Sequence, residues 1–328
     1  MKAIIFEAYG SPDVLKLTEL DKPTPQTNEV LVRIVAAAAN PLDWRRMRAS
    51  PWLVRTSEGL LKPKNAILGA DIAGIVEAVG DDVTRFRPKE CVFAEIGKGG
   101  FAEYVCVGEE HLTPMPTDVS FEAAAAAPVV GLTALQGLRD TAKLQAGEHV
   151  LINGASGGIG TFAVQLAKSY GAQVTGVCSG RNAELVRSIG ADHVIDYTKT
   201  DFTRSGQQYD VIYDLVANYA VDDYQRALKP NGRCVVAGFS TMGHMFQVLV
   251  KGAWVSRRTN KWIGTMGSAS PNEADMLTIK ELLEAGRVKP VIDRRYPLAE
   301  TADAIRYLET HRARGKVVIT ISTTDQHG

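Results

Sequence analysis

The sequence predicts an α/β protein: a doubly wound parallel sheet joined to a second, β-rich domain. Three observations predict it. Short Val/Ile-rich runs separated by turn signals fill the first third of the chain. Apolar strands alternating with amphipathic helices fill the middle. A glycine-rich turn joins the first of those strands to the first of those helices. At 328 residues the chain exceeds one ordinary core, and a prior of about one domain per 150 residues gives two domains.

The elements follow in order. MKAIIFEAY, EVLVRIVAAAA, LGADIAGIVEAVG and ECVFAEI read as strands of a barrel-like domain. Gly80-Asp81-Asp82 and Arg87-Pro88-Lys89 punctuate them. SFEAAAAAPVVGLTALQGL is helical in propensity, with Ser120 as its N-cap. HVLING, QVTGVC, HVID, YDVIYDLV and RCVVAGF then read as strands, with helices in GIGTFAVQLAKSYG and NAELVRSIG. Continuous apolar strands with helical crossovers make a parallel sheet, and right-handed crossovers make it doubly wound. Beyond Lys261–Met266 the pattern loosens into a helix at 272–285 ending at Gly286, VKPVID, a helix near 300–310 and GKVVITI.

Composition excludes several classes. Hydrophobic residues are 45% and charged residues 23%; Lys+Arg and Asp+Glu both count 37. With no net charge and no Lys/Arg stripe, nothing draws in nucleic acid or an acidic membrane surface. The N-terminal apolar stretch is broken by Glu7 and Gly10, too short for a signal peptide, and no apolar run is long enough to span a membrane. Cys91, Cys106, Cys178 and Cys234 are far apart and form no C-x-x-C pair, so a reducing, cytoplasmic compartment is the expectation.

The strongest chemical signal is HVLINGASGGIGTFAVQLAK. Against G-x-G-x-x-G, residues 155–160 read Ala-Ser-Gly-Gly-Ile-Gly, with Ala155 in place of the first glycine. Gly157 lets the backbone approach a pyrophosphate, and Gly160 lets helix and strand pack closely. Ser156, Gly157, Gly158 and Ile159 then present backbone N–H groups at a helix N-terminus. The next strand ends in Cys178-Ser179-Gly180-Arg181-Asn182, without the acid that holds a free ribose 2′-hydroxyl. Ser179 can donate to a 2′-phosphate and Arg181 can add a charge-assisted bond, so NADPH is expected over NADH. Tyr197, after HVID, is placed to cover the adenosine phosphate; a solvated loop aromatic is the other reading.

At this point the chain resembles the zinc-independent quinone oxidoreductase (zeta-crystallin-like) branch of the medium-chain dehydrogenase/reductase superfamily. The residues that carry the likeness are Gly147-Glu148, Leu151, Ala155-Ser156-Gly157-Gly158, Gly160, Gln165 and Lys168. To them are added Gly190-Ala191-Asp192, Asn40-Pro41-Leu42-Asp43 and LGADIAGIVEAVG. The resemblance implies a GroES-like domain from residues 1–122 and 269–328 and a Rossmann NADP-binding domain from 123–268. Where zinc members carry Cys, His and Cys, this chain carries Asn40, Ala70 and Val129, so no metal site is expected. The resemblance places Asn40 and Thr133 beside the nicotinamide. There the Asn40 amide would bond a developing enolate or hydroquinone oxygen; its other reading is a turn residue before Pro41. Asp43 reads as a cap or a partner for Arg46. Gly238 and Phe239 would line the nicotinamide pocket through backbone groups, and Lys316 would contact a phosphate; its other reading is a solvated surface lysine.

The function implied is NADPH-dependent reduction of quinones or α,β-unsaturated carbonyls. A 2-enoyl thioester reductase shares the scaffold, with residues 48–64 roofing a longer acyl cleft. An NADPH-binding structural or RNA-binding protein with little turnover is the alternative of another class. The resemblance also implies a homodimer, two copies pairing antiparallel through residues 261–266, an apolar edge without proline.

Overall fold

The structure is a computed structural model describing residues 1–64, 66–238 and 241–321. The chain divides into two compact units. Met1–Val129, Pro271–Ala285 and the chain from Pro290 onward form one; Val130–Ser270 and Gly286–Lys289 form the other. The expected boundary at 122/123 falls seven residues early. The helix Phe121–Ala125 packs on strands of the first unit, and the Val129 N–H donates to Asp71 there, so both stay with it.

The first unit is β-rich. β1 (Lys2–Ile5) and β2 (Lys16–Glu19) form an antiparallel pair. A seven-stranded sheet follows from β3 (Glu29–Ala39), β4 (Asp71–Val79), β5 (Cys91–Glu95), β6 (Tyr104–Gly108) and β7 (Thr113–Pro114), completed by two late strands. β3 is long enough to serve two partners on one edge. Its first half pairs with β6, and Ala36–Ala39 pairs with the last strand of the chain. The all-alanine end of β3 lets neighbouring layers approach closely. Ile34, Ile72, Phe101, Val317 and Ile319 share one core, so the C-terminal segment completes a core begun by the N-terminus.

The second unit is a six-stranded parallel sheet: β8 (His149–Asn153), β9 (Gln173–Cys178), β10 (His193–Asp196), β11 (Tyr209–Asp214), β12 (Leu228–Val236) and β13 (Trp262–Thr265). The order is β10-β9-β8-β11-β12-β13. The chain starts at the middle, winds outward, and returns to the other side of β8. Its order therefore reverses between β8 and β11, where open α/β sheets bind ligands. β8 is buried at every residue, as a strand covered on both faces must be.

The first unit then closes with β14 (Ile292–Pro297) and β15 (Lys316–Thr320). The expected helices appear at Glu273–Glu284, capped by the Asn272 side chain, and at Thr301–Glu309. The predicted helical stretch after Ser120 is two helices, Phe121–Ala125 and Pro128–Leu135, because Pro128 has no N–H to continue the first.

One surface helix has no counterpart in the sequence reading. It runs through Met242–Gln247, Val248–Gly252 and Ala253–Arg258, with wider turns in its middle. Val248 and Val255 face the core, but Met242, Phe246, Leu249, Val250 and Trp254 face outward. Apolar residues on both sides erase the amphipathic period that would have announced it. This helix also corrects the expectation of a free edge at 261–266. β13 is the outer strand, yet the Ile263 N–H donates to Ser256 Oγ at 2.9 Å, and Gly252 lies against the Ile263 carbonyl. The middle of that edge is closed from within the chain.

Among the described residues, no helix is long and apolar enough to cross a membrane.

Candidate functional site

In the second unit, the carboxyl ends of the parallel strands gather the predicted cofactor residues. The turn after β8 takes its positive φ at Gly154 (87°), one residue before the template position. Ala155 therefore needs no left-handed conformation, and its presence in place of a glycine costs nothing. Gly160 is irreplaceable: a Cβ there would stand 2.1 Å from the Gly154 carbonyl oxygen. At Gly157 a Cβ would meet only that same oxygen, at 3.5 Å, so one side of the turn is open. Gly157 is also the N-cap of the helix Gly158–Ser169, with no side chain to occupy the first-turn N–H groups. Bare N–H groups at a helix N-terminus, a positive dipole end and an open backbone form a cradle for a pyrophosphate.

Neighbouring strand ends supply the rest. Ser156 Oγ accepts from Asn182 Nδ2 at 3.0 Å, while Asn182 Oδ1 is buried without a partner among the described residues. A buried carbonyl oxygen without a donor fits a ligand hydroxyl. Ser179 starts the turn Gly180–Asn182, half-buried, and Arg181 beside it is exposed with no ion pair among the described residues. Tyr197 is 58% exposed, its loop fixed by its N–H on the Cys178 carbonyl. Gly238 packs against the Leu215 carbonyl. Thr133 is half-buried on the helix Pro128–Leu135, its carbonyl accepting from Tyr213 Oη at 2.8 Å. Phe239 lies outside the described residues.

Two acids at this end were missed. Asp196, closing β10, lies beside Gly180; its carboxylate accepts from Thr198, which holds it below the usual carboxylate range. Asp214, closing β11, is fully buried. Asn153, Tyr224 and the N–H groups of Val216 and Ala217 all donate to it. It holds Ala217 at φ 55° and shapes the turn against which Gly238 packs. An acid ending an apolar strand was the available signal for both.

In the first unit, the resemblance-matched positions form one buried cluster. Asn40 precedes the helix Pro41–Arg48, and its N–H donates to Asp43 Oδ2 at 2.7 Å. Asp43 also accepts from the Gly69 N–H, so it is the expected cap. Arg46 instead pairs with Glu58 at 3.2 Å. The Asn40 amide donates to the Ala38 carbonyl and to Asp71 Oδ2, and its oxygen accepts from Lys316 Nζ at 2.6 Å. Lys316 Nζ also pairs with Asp71 at 3.0 Å.

This overturns two expectations. Lys316 is 4% exposed and is consumed by Asn40 and Asp71, so it is not a phosphate contact. Asn40 is 1% exposed with both amide hydrogens spent, so it has none left to bond a substrate oxygen; its role is to tie Lys316 and Asp71 together. Ala70 and Val129, the other positions matched to metal ligands, bring no side-chain donor. Burial raises the Asp43 carboxyl to about 6, despite the N–H groups it accepts. Burial, aided by the Asp71 charge, raises Glu95 to about 7.

Residues 26–117 match the family of alcohol dehydrogenase GroES-like domains, and residues 189–319 match a zinc-binding dehydrogenase family. Over 97% of its length the chain is 33% identical to an NADPH-dependent alkenal/one oxidoreductase from Arabidopsis thaliana, covering 79% of that protein. To a 2-methylene-furan-3-one reductase from Solanum lycopersicum it is 35% identical, with the same coverage. The quinone oxidoreductase of Coxiella burnetii superposes with a TM-score of 0.85 at 29% identity, over 98% of this chain and 99% of that one. A Rossmann sheet with a pyrophosphate cradle, a GroES-like domain built from both ends of the chain and relatives matched over 97% of this chain agree. The chain belongs to the medium-chain dehydrogenase/reductase superfamily, in its quinone oxidoreductase family.

Proposed function

We propose that the chain is an NADPH-dependent oxidoreductase that reduces α,β-unsaturated carbonyls and quinones without a metal. The observation that carries it is the open glycine cradle at the β8 turn in a chain similar, nearly end to end, to an NADPH-dependent alkenal/one oxidoreductase. NADPH supplies the hydride when bound. The Gly158–Ile159 backbone binds the pyrophosphate, Gly157 leaving room for its approach, Ser156 and Asn182 meet ribose hydroxyls, and Ser179 with Arg181 meets the 2′-phosphate. Asp214 holds the turn that positions the nicotinamide end.

Zinc independence is supported by the first-unit cluster. Two of three matched positions are alkyl, and the one amide oxygen already faces an ammonium, which repels a divalent cation. Acceptors that are already electron-poor need no Lewis acid. The four unpaired cysteines support a cytoplasmic location. The outward apolar residues of the helix at 242–258 support a homodimer, since monomers seldom leave such a patch bare.

A panel of acceptors tests the reading: an alkenal, an enone, an ortho-quinone and crotonyl thioester, each with NADPH and with NADH. NADPH consumption with the alkenal, enone and quinone is expected. Turnover of the thioester alone, or of nothing, overturns it.

A further inference from the structure

The adenosine end of the proposed NADPH site is built on two loops, and one carboxylate joins them. Strands β9 and β10 are parallel neighbours, with Cys178 paired to Asp196 at their carboxyl ends. β9 runs into Ser179-Gly180-Arg181-Asn182, and β10 runs into Tyr197-Thr198-Lys199. In a dinucleotide-binding sheet the loop after the second strand faces the ribose 2′ position. Asn182 ties that loop to the pyrophosphate turn through Ser156, and its Oδ1 stays buried without a partner among the described residues. All of these residues lie within the second unit.

Asp196 holds both loops. Its Oδ1 accepts from the Thr198 N–H at 3.0 Å and from Thr198 Oγ1 at 2.7 Å. Its backbone carbonyl accepts from the N–H groups of Lys199 and Thr200, both at 3.0 Å, so the loop that begins with Tyr197 closes on this one residue. Its Oδ2 lies against Gly180, where a Cβ would stand 2.5 Å from that oxygen. The Thr198 bonds first, then the Gly180 N–H and the Lys199 charge, hold the carboxyl below its usual range. Position 180 is thus glycine where a carboxylate rests on the backbone between Ser179 and Arg181.

A carboxylate near a 2′-phosphate repels it, so the gain from this one lies elsewhere. Ser179 is half-buried and Arg181 exposed, on a short turn that would lose freedom on gripping a phosphate. Fixing such a turn beforehand lowers the cost of binding. We infer that Asp196 is a positioning residue for NADPH: it fixes Ser179, Arg181 and Tyr197 in advance for the 2′-phosphate, and so sets the preference for NADPH over NADH. The inference rests on the placement of that phosphate at Ser179 and Arg181 proposed above.

Asp196→Ala, Asp196→Asn and Gly180→Ala test it, by fluorescence titration with NADPH and NADH and by competition with adenosine 2′,5′-bisphosphate and adenosine 5′-monophosphate. Asp196→Ala should weaken NADPH and the bisphosphate roughly 10-fold, the scale of one lost charged hydrogen bond, and leave NADH and the monophosphate within about twofold. Asp196→Asn keeps an acceptor for Thr198 and should recover part of the loss. Gly180→Ala pushes the carboxylate off the turn and should reproduce the loss, yet add little to it in the Asp196→Ala chain, because both changes break one contact. Retained monophosphate binding shows that a variant is folded; if Asp196→Ala does not fold, Asp196→Asn and Gly180→Ala decide. Losses equal for ligands with and without the 2′-phosphate, additive losses in the double variant, or tighter NADPH binding by Asp196→Asn would overturn the inference. A wild-type chain that binds NADH as tightly as NADPH would instead overturn the phosphate placement beneath it.

Discussion

Asp43 and Ser179 show how single residues carry measurable consequences. Asp43 keeps its proton to about pH 6 in the folded chain because burial disfavours the charge. Below about pH 4 both folded and unfolded chains hold this proton, and it takes nothing from stability. Between about 4 and 6 the unfolded chain releases it first, so stability falls as pH rises, by about 3 kcal/mol once Asp43 must ionise in place. Glu95 extends the same decline toward pH 7. Asp192, held down by the Val174 N–H and Lys168, and Asp210, held down by Lys229, act in the opposite sense, and their contribution is lost as pH falls below about 4. Thermal unfolding should therefore peak near about pH 5, and Asp43→Asn should flatten its alkaline-side decline. A midpoint that rises steadily from pH 5 to 8 contradicts this. Ser179→Asp sets a carboxylate against a 2′-phosphate and should weaken NADPH by about 2–4 kcal/mol. A fluorescence titration showing NADPH bound as before would place that phosphate elsewhere. Neither the Asp43 nor the Glu95 shift is legible in the sequence, because an acid near a strand end announces no burial.

Elements explain why one surface needed the fold to be read correctly. A strand of Trp, Ile, Gly and Thr looks like an open edge, and pairing with a second copy follows naturally. In the folded chain the returning helix supplies Ser256, whose hydroxyl accepts from the Ile263 N–H and donates to the Gly252 carbonyl at 2.8 Å. Ser256→Ala leaves that N–H with no acceptor and should cost about 1 kcal/mol in urea unfolding. An unchanged midpoint would mean that water replaces the hydroxyl at no cost. The glycine turn shows the opposite case. Gly157 and Gly160 have the expected roles because backbone approach and helix–strand packing are local demands, met within six residues.

For the whole molecule, two outcomes follow from the first-unit cluster and the exposed helix. Exhaustive chelation should leave NADPH-dependent turnover unchanged, and metal analysis should find less than one tightly held zinc per chain; stoichiometric zinc would contradict the lysine cluster as drawn. Light scattering should give a dimer that Phe246→Asp with Trp254→Asp converts to monomer, these two aromatics being 67% and 51% exposed. A wild-type chain monomeric at micromolar concentration would refute the assembly.

The two fold types, the strands of the parallel sheet with their first two crossover helices and the pyrophosphate turn were determined by the sequence itself. Hydrophobic period, glycine chemistry and helix caps act over a few residues and leave a local trace. What each polar group bonds to was decided only by the tertiary structure. Asn40 and Lys316 are 276 residues apart and meet because β15 returns to the end of β3. That pairing turned an expected substrate contact and an expected phosphate contact into one internal ion cluster, and the same sheet brought Glu95 beside it. No local pattern encodes such meetings, because they depend on which strands become neighbours, and that depends on the whole core closing.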